Sequence, residues 1–179
     1  MHRKPVLFLD FDRTLFDTGQ FYDWLGDDRF ERILGITGGT IEPPDFSAYL
    51  YPDTLSFLKT ARKTHRLVLL TYATNAPLQR RKVRDSGITP LLDDVVISSR
   101  DKGLEAKEYL ARIGDPGWEH AFVDDAPKHI SEMKAMNPDI RTFRIERVPL
   151  SLEDLVEVTG EADVVVKDLD GVLAHLSGE

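Results

Sequence analysis

The sequence predicts an α/β fold, a three-layer Rossmann-like parallel sheet with helices on both faces. Short apolar runs alternate with helical patterns along the 179 residues. The runs are continuously apolar rather than alternating with polar residues, which is typical of parallel strands covered on both sides. We therefore expect a central sheet built from strand–helix repeats.

The strands and helices follow one another in regular order. Six apolar runs are predicted as strands, at residues 6–10, 67–71, 95–98, 121–124, 140–145 and 164–166. Five helical patterns accompany them, at residues 53–64, 77–86, 102–113, 127–136 and 151–158. Pro77 and Pro127 suit the first turn of a helix, where a missing N–H costs little.

Residues 18–51 interrupt this order. The segment is rich in glycine, proline and aromatic residues, and two short helices are predicted around 20–25 and 28–34. We interpret it as a small helical cap insertion within one domain that spans 1–179, since a chain of this length favours a single domain.

The overall composition excludes several classes of function. The formal net charge of −8 argues against binding to a nucleic-acid backbone or an anionic membrane surface, because both need a basic protein surface. No apolar run approaches the roughly 20 residues that span a bilayer. The chain has no cysteine, which excludes disulfides and thiolate zinc sites and suits the cytoplasm.

Two carboxylates follow the first predicted strand. Asp10 and Asp12 are two residues apart, so in an extended chain they face the same side, where like charges repel. Folding alone gives little reason for this pair, whereas a hard cation or a phosphoryl reaction does. The alternative is a turn or a helix cap.

Other polar residues follow later strands. Ligands of parallel α/β sheets bind at the carboxyl ends of the strands. Thr71 ends the second strand, Lys102 follows the third, and Asp124 and Asp125 end the fourth, so we expect them near Asp10.

Alternatives remain for each of these positions. Thr74 competes with Thr71, and the pair Asp124-Asp125 could simply cap a helix. Lys107, Arg100 and the basic run 80–82 compete with Lys102. We interpret the run 80–82 as a solvated helix face.

With these motifs in order, the sequence resembles the haloacid dehalogenase-like (HAD) hydrolase superfamily. Asp10-Phe11-Asp12-Arg13-Thr14 matches its first motif, an apolar strand followed by Asp-x-Asp-x-Thr. Three further motifs are matched by Thr71, by Lys102 and by the pair Asp124-Asp125. The resemblance implies a sheet of order 3-2-1-4-5, with a sixth strand left open, and a Mg²⁺-dependent phosphatase.

The resemblance also implies roles for the matched residues. Asp10 would be the nucleophile that forms an aspartyl-phosphate, and Asp12 would protonate the leaving alcohol and then activate water. Thr71 and Lys102 would hold phosphoryl oxygens. Mg²⁺ would be bound by Asp10, Asp124 and the backbone carbonyl of Asp12, and by Asp125 either directly or through water.

Three further expectations concern the loop after the second strand, the C-terminus and the ligand. Asn75 is either a substrate contact or a turn residue. Asp168-Leu169-Asp170-Gly171 imitates the first motif, but too little chain follows to supply the others, so we expect a terminal turn and helix. The expected substrate is a small phosphorylated metabolite, with nucleotides and phosphoproteins next.

Two other functions compete with the phosphatase reading. One is a receiver-like phosphoacceptor, which also combines carboxylates, threonine, lysine and magnesium on a parallel sheet. In that class, however, the phosphoacceptor aspartate follows the third strand, where this chain has Ser98-Ser99. The other is a catalytically silent HAD-like binding module.

Overall fold

Six parallel strands form one sheet in the computed structural model, which describes residues 4–33, 44–114, 119–147 and 161–177. The strands are β1 (Val6–Leu9), β2 (Arg66–Tyr72), β3 (Asp94–Ser98), β4 (Ala121–Asp124), β5 (Arg141–Ile145) and β6 (Val164–Val166). Their order is β3-β2-β1-β4-β5-β6, and every neighbouring pair is parallel. The predicted fold class is confirmed, and the sixth strand is present.

Six α-helices lie in the described residues. They are α1 (Thr18–Ile33), α2 (Thr54–Ala61), α3 (Ala76–Asp85), α4 (Lys102–Ile113), α5 (Pro127–Met136) and α6 (Leu169–Leu176). Gly26 has a positive φ of 52° inside α1, so this helix is two short helices joined by a kink, as the sequence predicts. The helix predicted at 151–158 lies outside the described residues.

Successive residues of the central strands point to opposite faces of the sheet, and each face has its own core. Leu7 and Leu9 join one cluster, which includes residues of α2, α3 and α6. Val6 and Phe8 join the other, which includes residues of α4 and α5. Because both faces are covered by helices, the strands are apolar throughout rather than alternating.

Part of the predicted cap insertion packs into the first of these cores. Phe21 of α1 and Phe46 of the 3-10 turn Phe46–Tyr49 are buried, and their ring centroids are 5.7 Å apart. Phe21 also contacts Phe16, which follows β1, at 5.6 Å between centroids. Residues 34–43 lie outside the described ranges, so a cap over the substrate stays a prediction.

The sheet order fixes where the polar strand ends meet. β1 lies between β2 and β4, and its continuation is held to β4 because Asp10 N donates to Val123 O at 2.9 Å. The chain runs to β2 and β3 on one side of β1 and to β4, β5 and β6 on the other. Such a reversal opens a crevice at the carboxyl ends of the strands.

The look-alike motif near the C-terminus is a helix start. Asp168 caps α6, because its Oδ1 accepts a hydrogen bond from Gly171 N at 2.8 Å. The predicted terminal turn and helix is therefore what this segment forms. Among the described residues, no helix is both long enough and apolar enough to cross a membrane.

Candidate functional site

Lys102 joins the ends of β1 and β4. Its Nζ donates to Asp10 Oδ1 and to Asp124 Oδ2, each at 2.6 Å. Lys102 is only 1% exposed and Asp124 is fully buried, so all three groups sit away from bulk water. Asp101 caps α4, since its Oδ1 accepts from Leu104 N, and this places Lys102 in the first helical turn.

The alternatives to Lys102 lie elsewhere. Lys107 is on the exposed side of α4. Arg100 forms a two-pronged hydrogen bond with the exposed Glu108 at 3.1 and 2.8 Å. Lys102 is thus the one of these three cations that the structure brings to Asp10.

Burial dominates the electrostatics of the carboxylates. It raises the pKa of Asp10 to about 6, against the lowering effect of Lys102. Burial, followed by the charges of Asp124 and Asp10, raises the pKa of Asp125 to about 8. Burial also acts to raise the pKa of Asp124, but Lys102 and His129 together hold it well below its usual range.

Asp10, Asp124 and Asp125 offer carboxylate oxygens that all lie within 4.8 Å of one another. Two oxygens on one Mg²⁺, each at about 2.1 Å, lie at most about 4.2 Å apart, so a small movement would bring this trio together. The donors are all oxygens, which suits a hard cation. Burial is the main cause of the raised pKa values of Asp10 and Asp125, and the neighbouring carboxylates raise both further, which a bound cation would offset. These residues fit Mg²⁺.

Asp12 is held by a different set of neighbours. Its Oδ1 accepts from Thr18 Oγ1 at 2.7 Å and from Lys82 Nζ. Its Oδ2 accepts from Gln79 Nε2 at 2.6 Å. The Asp12 side chain is 27% exposed, so the carboxylate is anchored on one side and open on the other.

The prediction of a solvated face for the run 80–82 is wrong for Lys82. This residue is 2% exposed, whereas Arg80 is exposed. The helical period explains the difference, because Leu78, Gln79, Lys82 and Val83 share the buried side of α3. Residue type alone predicts that Lys82 is exposed, whereas its position in the helical period predicts that it is buried.

Thr71, rather than Thr74, lies beside this network. Thr71 is buried and its Oγ1 accepts from Gln79 Nε2 at 2.8 Å, while Thr74 is exposed. Asn75 is the N-cap of α3, with Oδ1 accepting from Leu78 N at 3.1 Å. A contact between Asn75 and substrate stays a prediction.

The loop after β1 contains a further site residue that sequence analysis did not single out. Arg13 has a φ of 59°, an uncommon conformation for a residue with a side chain. Its Nε lies 3.0 Å from Asp125 Oδ2, which ties the first loop to the fourth strand end. His129 likewise approaches Asp124, with 3.2 Å between Nδ1 and the carboxylate.

Comparison with known proteins finds similarity in structure. No protein-family model matches the sequence, and no curated protein matches it. Solved structures do match over nearly the whole chain. The HAD-hydrolase YfnB from Bacillus subtilis, in a magnesium-bound crystal form, is 15% identical, with a TM-score of 0.66 and 98% and 99% of the two chains covered.

Two further structures differ from each other in activity. A HAD phosphatase from Thermococcus onnurineus is 18% identical, with a TM-score of 0.65 and the same coverage of 98% and 99%. The L-2-haloacid dehalogenase from Xanthobacter autotrophicus, with chloropropionic acid covalently bound, is 15% identical, with a TM-score of 0.68 and coverage of 98% and 99%. Sheet order, site position and these similarities together lead to one conclusion: the protein has the fold of the haloacid dehalogenase-like hydrolases.

Proposed function

We propose that the protein is a Mg²⁺-dependent phosphate-monoester hydrolase that works through an aspartyl-phosphate on Asp10. The proposal rests on one observation: the two carboxylates that follow β1, Asp10 and Asp12, have different surroundings. Asp10 belongs to a buried acidic trio bridged by Lys102, while Asp12 is held apart from it by Lys82, Gln79 and Thr18. Two carboxyl groups in different environments are suited to different duties.

In the first half of the reaction, a carboxylate oxygen of Asp10 attacks phosphorus. The bond from phosphorus to the ester oxygen breaks, and the leaving oxygen takes a proton from Asp12. The products of this half are a free alcohol and phosphorylated Asp10. Asp12 is left as a carboxylate.

In the second half, Asp12 takes a proton from a water molecule, and the water oxygen attacks phosphorus. The bond from phosphorus to Asp10 breaks. Inorganic phosphate leaves, Asp10 is restored, and Asp12 is again protonated for the next cycle.

The groups around Asp10 compensate the negative charge of the phosphoryl group. The Lys102 ammonium and the Thr71 hydroxyl are suited to hold phosphoryl oxygens. Asp10, Asp124, Asp125 and the backbone carbonyl of Asp12 would hold Mg²⁺, which supplies positive charge that lets an anionic nucleophile approach an anionic ester.

The position of Asp12 favours a phosphatase over a dehalogenase. Displacement on a 2-haloacid expels a halide, which leaves without a proton. Displacement on a phosphate ester expels an alkoxide, which needs one. A carboxyl group anchored beside the nucleophile is therefore useful for ester cleavage.

The sheet order bears on the receiver-like alternative. A receiver domain has the order 2-1-3-4-5, whereas β1 here lies between β2 and β4. A silent binding module would keep the present order, so only a measurement of turnover separates it from an enzyme.

As substrate we propose a small phosphorylated metabolite of the cytoplasm, with nucleotides and phosphoproteins next. Asp10 and Lys102 are buried, so a phosphate can reach them only if the group that carries it is narrow. This supports a small substrate. A panel of phosphate monoesters of increasing size tests this choice, and a preference for phosphoproteins would contradict it.

The test of the proposed function is hydrolysis of 4-nitrophenyl phosphate with MgCl₂ and with a chelator. We expect Mg²⁺-dependent turnover that falls about 1,000-fold or more in Asp10→Asn. Asp168→Asn is the matched control, since it makes the same change in the look-alike motif and keeps a good helix cap. Equal rates for the two variants, or chloride release from 2-chloropropionate in place of phosphate release, would contradict the proposal.

A further inference from the structure

Helix α3 directs two buried polar side chains toward the first-strand loop. Gln79 is 5% exposed and Lys82 is 2% exposed. They are three residues apart, so they lie on the same side of the helix. Both donate hydrogen bonds to Asp12, although 67 and 70 residues of chain separate them from it.

The Gln79 amide connects two site residues. Its Nε2 donates to Asp12 Oδ2 at 2.6 Å and to Thr71 Oγ1 at 2.8 Å. An amide nitrogen carries two hydrogens, so both are used. Because Thr71 accepts this bond, its own hydroxyl hydrogen is left to donate to another group.

The Lys82 ammonium sits in an aromatic pocket. Its Nζ lies 4.9 Å from the ring centroid of Phe16, 5.4 Å from that of Phe11 and 5.5 Å from that of Phe21. Ring faces attract a cation but cannot replace a negative charge. Asp12 is the carboxylate with which Lys82 is paired.

Folding alone gives a weak reason for burying the Lys82 ammonium beside Asp12. Apolar side chains of similar volume often stabilise a protein as well as a buried ion pair does, and they suit a pocket of three phenyl rings better. Asp12 is partly open to solvent and would not need a partner for the fold. What the contact does fix is where the Asp12 carboxylate lies.

The hydrogen bonds to Asp12 leave room for a reacting group. A carboxylate has about four acceptor positions. Lys82 and Thr18 occupy two on Oδ1, and Gln79 occupies one on Oδ2. Among the described residues, no side chain takes the fourth, which leaves one direction on Oδ2 for the proton that Asp12 gives to a leaving oxygen or takes from a water.

We propose that Lys82 and Gln79 are positioning residues, which fix the Asp12 carboxylate for proton transfer and, through Gln79, turn the Thr71 hydroxyl toward the phosphoryl group. This inference rests on the proposed phosphatase activity. If Asp12 is displaced, hydrolysis slows most for the esters whose leaving oxygen needs a proton. Esters of acidic phenols, which leave as anions, are affected least.

The test compares two aryl phosphates, phenyl phosphate and 4-nitrophenyl phosphate, which differ in the acidity of the phenol released. We expect Lys82→Met to lower kcat/KM for phenyl phosphate by about 10- to 100-fold, while that for 4-nitrophenyl phosphate falls by no more than about 3-fold. Gln79→Met should lower both, because it also releases Thr71. Arg80→Met, on the exposed side of the same helix, is the matched control and should change neither.

Thermal melting shows whether each variant folds. If Lys82→Met does not fold, Thr18→Val supplies the same comparison, since it removes another donor to Asp12 Oδ1 while keeping the shape of the side chain. Equal losses on the two substrates, or no loss on either, would overturn the inference and leave the phosphatase proposal standing. A wild-type protein that hydrolyses neither substrate would overturn both.

Discussion

The loop after β1 holds two carboxylates that differ in what surrounds them. Asp10 and Asp124 both accept a hydrogen bond from Lys102 in a buried cluster. Asp12 instead accepts hydrogen bonds from three other side chains. Residue type and spacing predict that both are functional. They do not predict the surroundings, because Lys82, Gln79 and Thr18 come from helices that meet Asp12 only after folding.

Replacement of Asp12 tests its separate duty. We expect Asp12→Asn to lower kcat for phenyl phosphate by about 10²- to 10⁴-fold, the usual contribution of a general acid–base group. Asp17→Asn is the control in the same loop, since Asp17 Oδ1 accepts from Gln20 N and asparagine can do the same. Steady-state kinetics measures both variants. An Asp12→Asn protein with the wild-type rate would show that another group transfers the proton.

The acidic trio predicts how Mg²⁺ binding depends on pH. Asp10, with a pKa of about 6, and Asp125, with a pKa of about 8, hold protons at low pH that the cation must displace. Affinity should therefore rise with pH between about 5 and 9 and level off above. Titration calorimetry in buffers of different ionisation enthalpy measures both the affinity and the protons released.

Asp125→Asn should flatten the upper part of that pH profile, because the group with the higher pKa is removed. Asp170→Asn, an exposed carboxylate of α6, should leave it unchanged. An affinity that does not vary with pH would contradict the assignment of this trio to the cation.

Among the helices, the packing of α4 against α5 decides where Lys102 lies. Gly103 follows Lys102, and a Cβ at this position would meet Glu132 O of α5 at 2.1 Å. The two helices can approach this closely only with glycine here. Lys102 N also donates to Glu132 Oε2 at 3.2 Å, so the same contact holds the start of α4.

Gly103→Ala should accordingly push α4 away from α5. We expect a loss of about 1–3 kcal/mol in the free energy of unfolding, as for other overpacked sites, together with reduced turnover because Lys102 moves. Urea denaturation and phosphatase kinetics measure the two effects. Gly19→Ala is the control, since a Cβ there meets only Asp17 Oδ1 at 3.4 Å. A stable, fully active Gly103→Ala protein would contradict this role.

Sequence patterns predict the elements of this fold well where one physical signal dominates. The buried strands are apolar on both sides, and Pro127 marks the start of α5, so their bounds are recovered to within one residue. The signals conflict at Lys82, where charge predicts exposure and the helical period predicts burial. The charge of Lys82 is compensated by Asp12, which a pattern in α3 alone cannot reveal.

Across the whole molecule, the sheet gathers distant segments at one rim. Asp10 and Asp124 lie far apart in the sequence, yet they meet because β1 lies beside β4, and Lys102 reaches both from the first turn of α4. The charge gathered there is unfavourable for folding. A cation that binds the folded chain should therefore stabilise the entire domain.

Thermal unfolding with and without Mg²⁺ tests this coupling. At a Mg²⁺ concentration 100 times the Kd, the folded state should gain about 2.7 kcal/mol. NaCl at the same ionic strength controls for screening, and Asp124→Asn should remove most of the gain. The same melting temperature in MgCl₂ and in NaCl would argue against a bound cation.

The most direct test of the account is to find the phosphoryl group on Asp10 during turnover. Acid quenching of the enzyme with phenyl phosphate and Mg²⁺, followed by borohydride reduction, converts a phosphorylated aspartate to homoserine. Peptide mass spectrometry then locates the change. We predict homoserine at position 10 in the wild-type protein and at no position in Asp10→Asn. Turnover with homoserine at another position, or with no homoserine at all, would contradict an aspartyl-phosphate on Asp10.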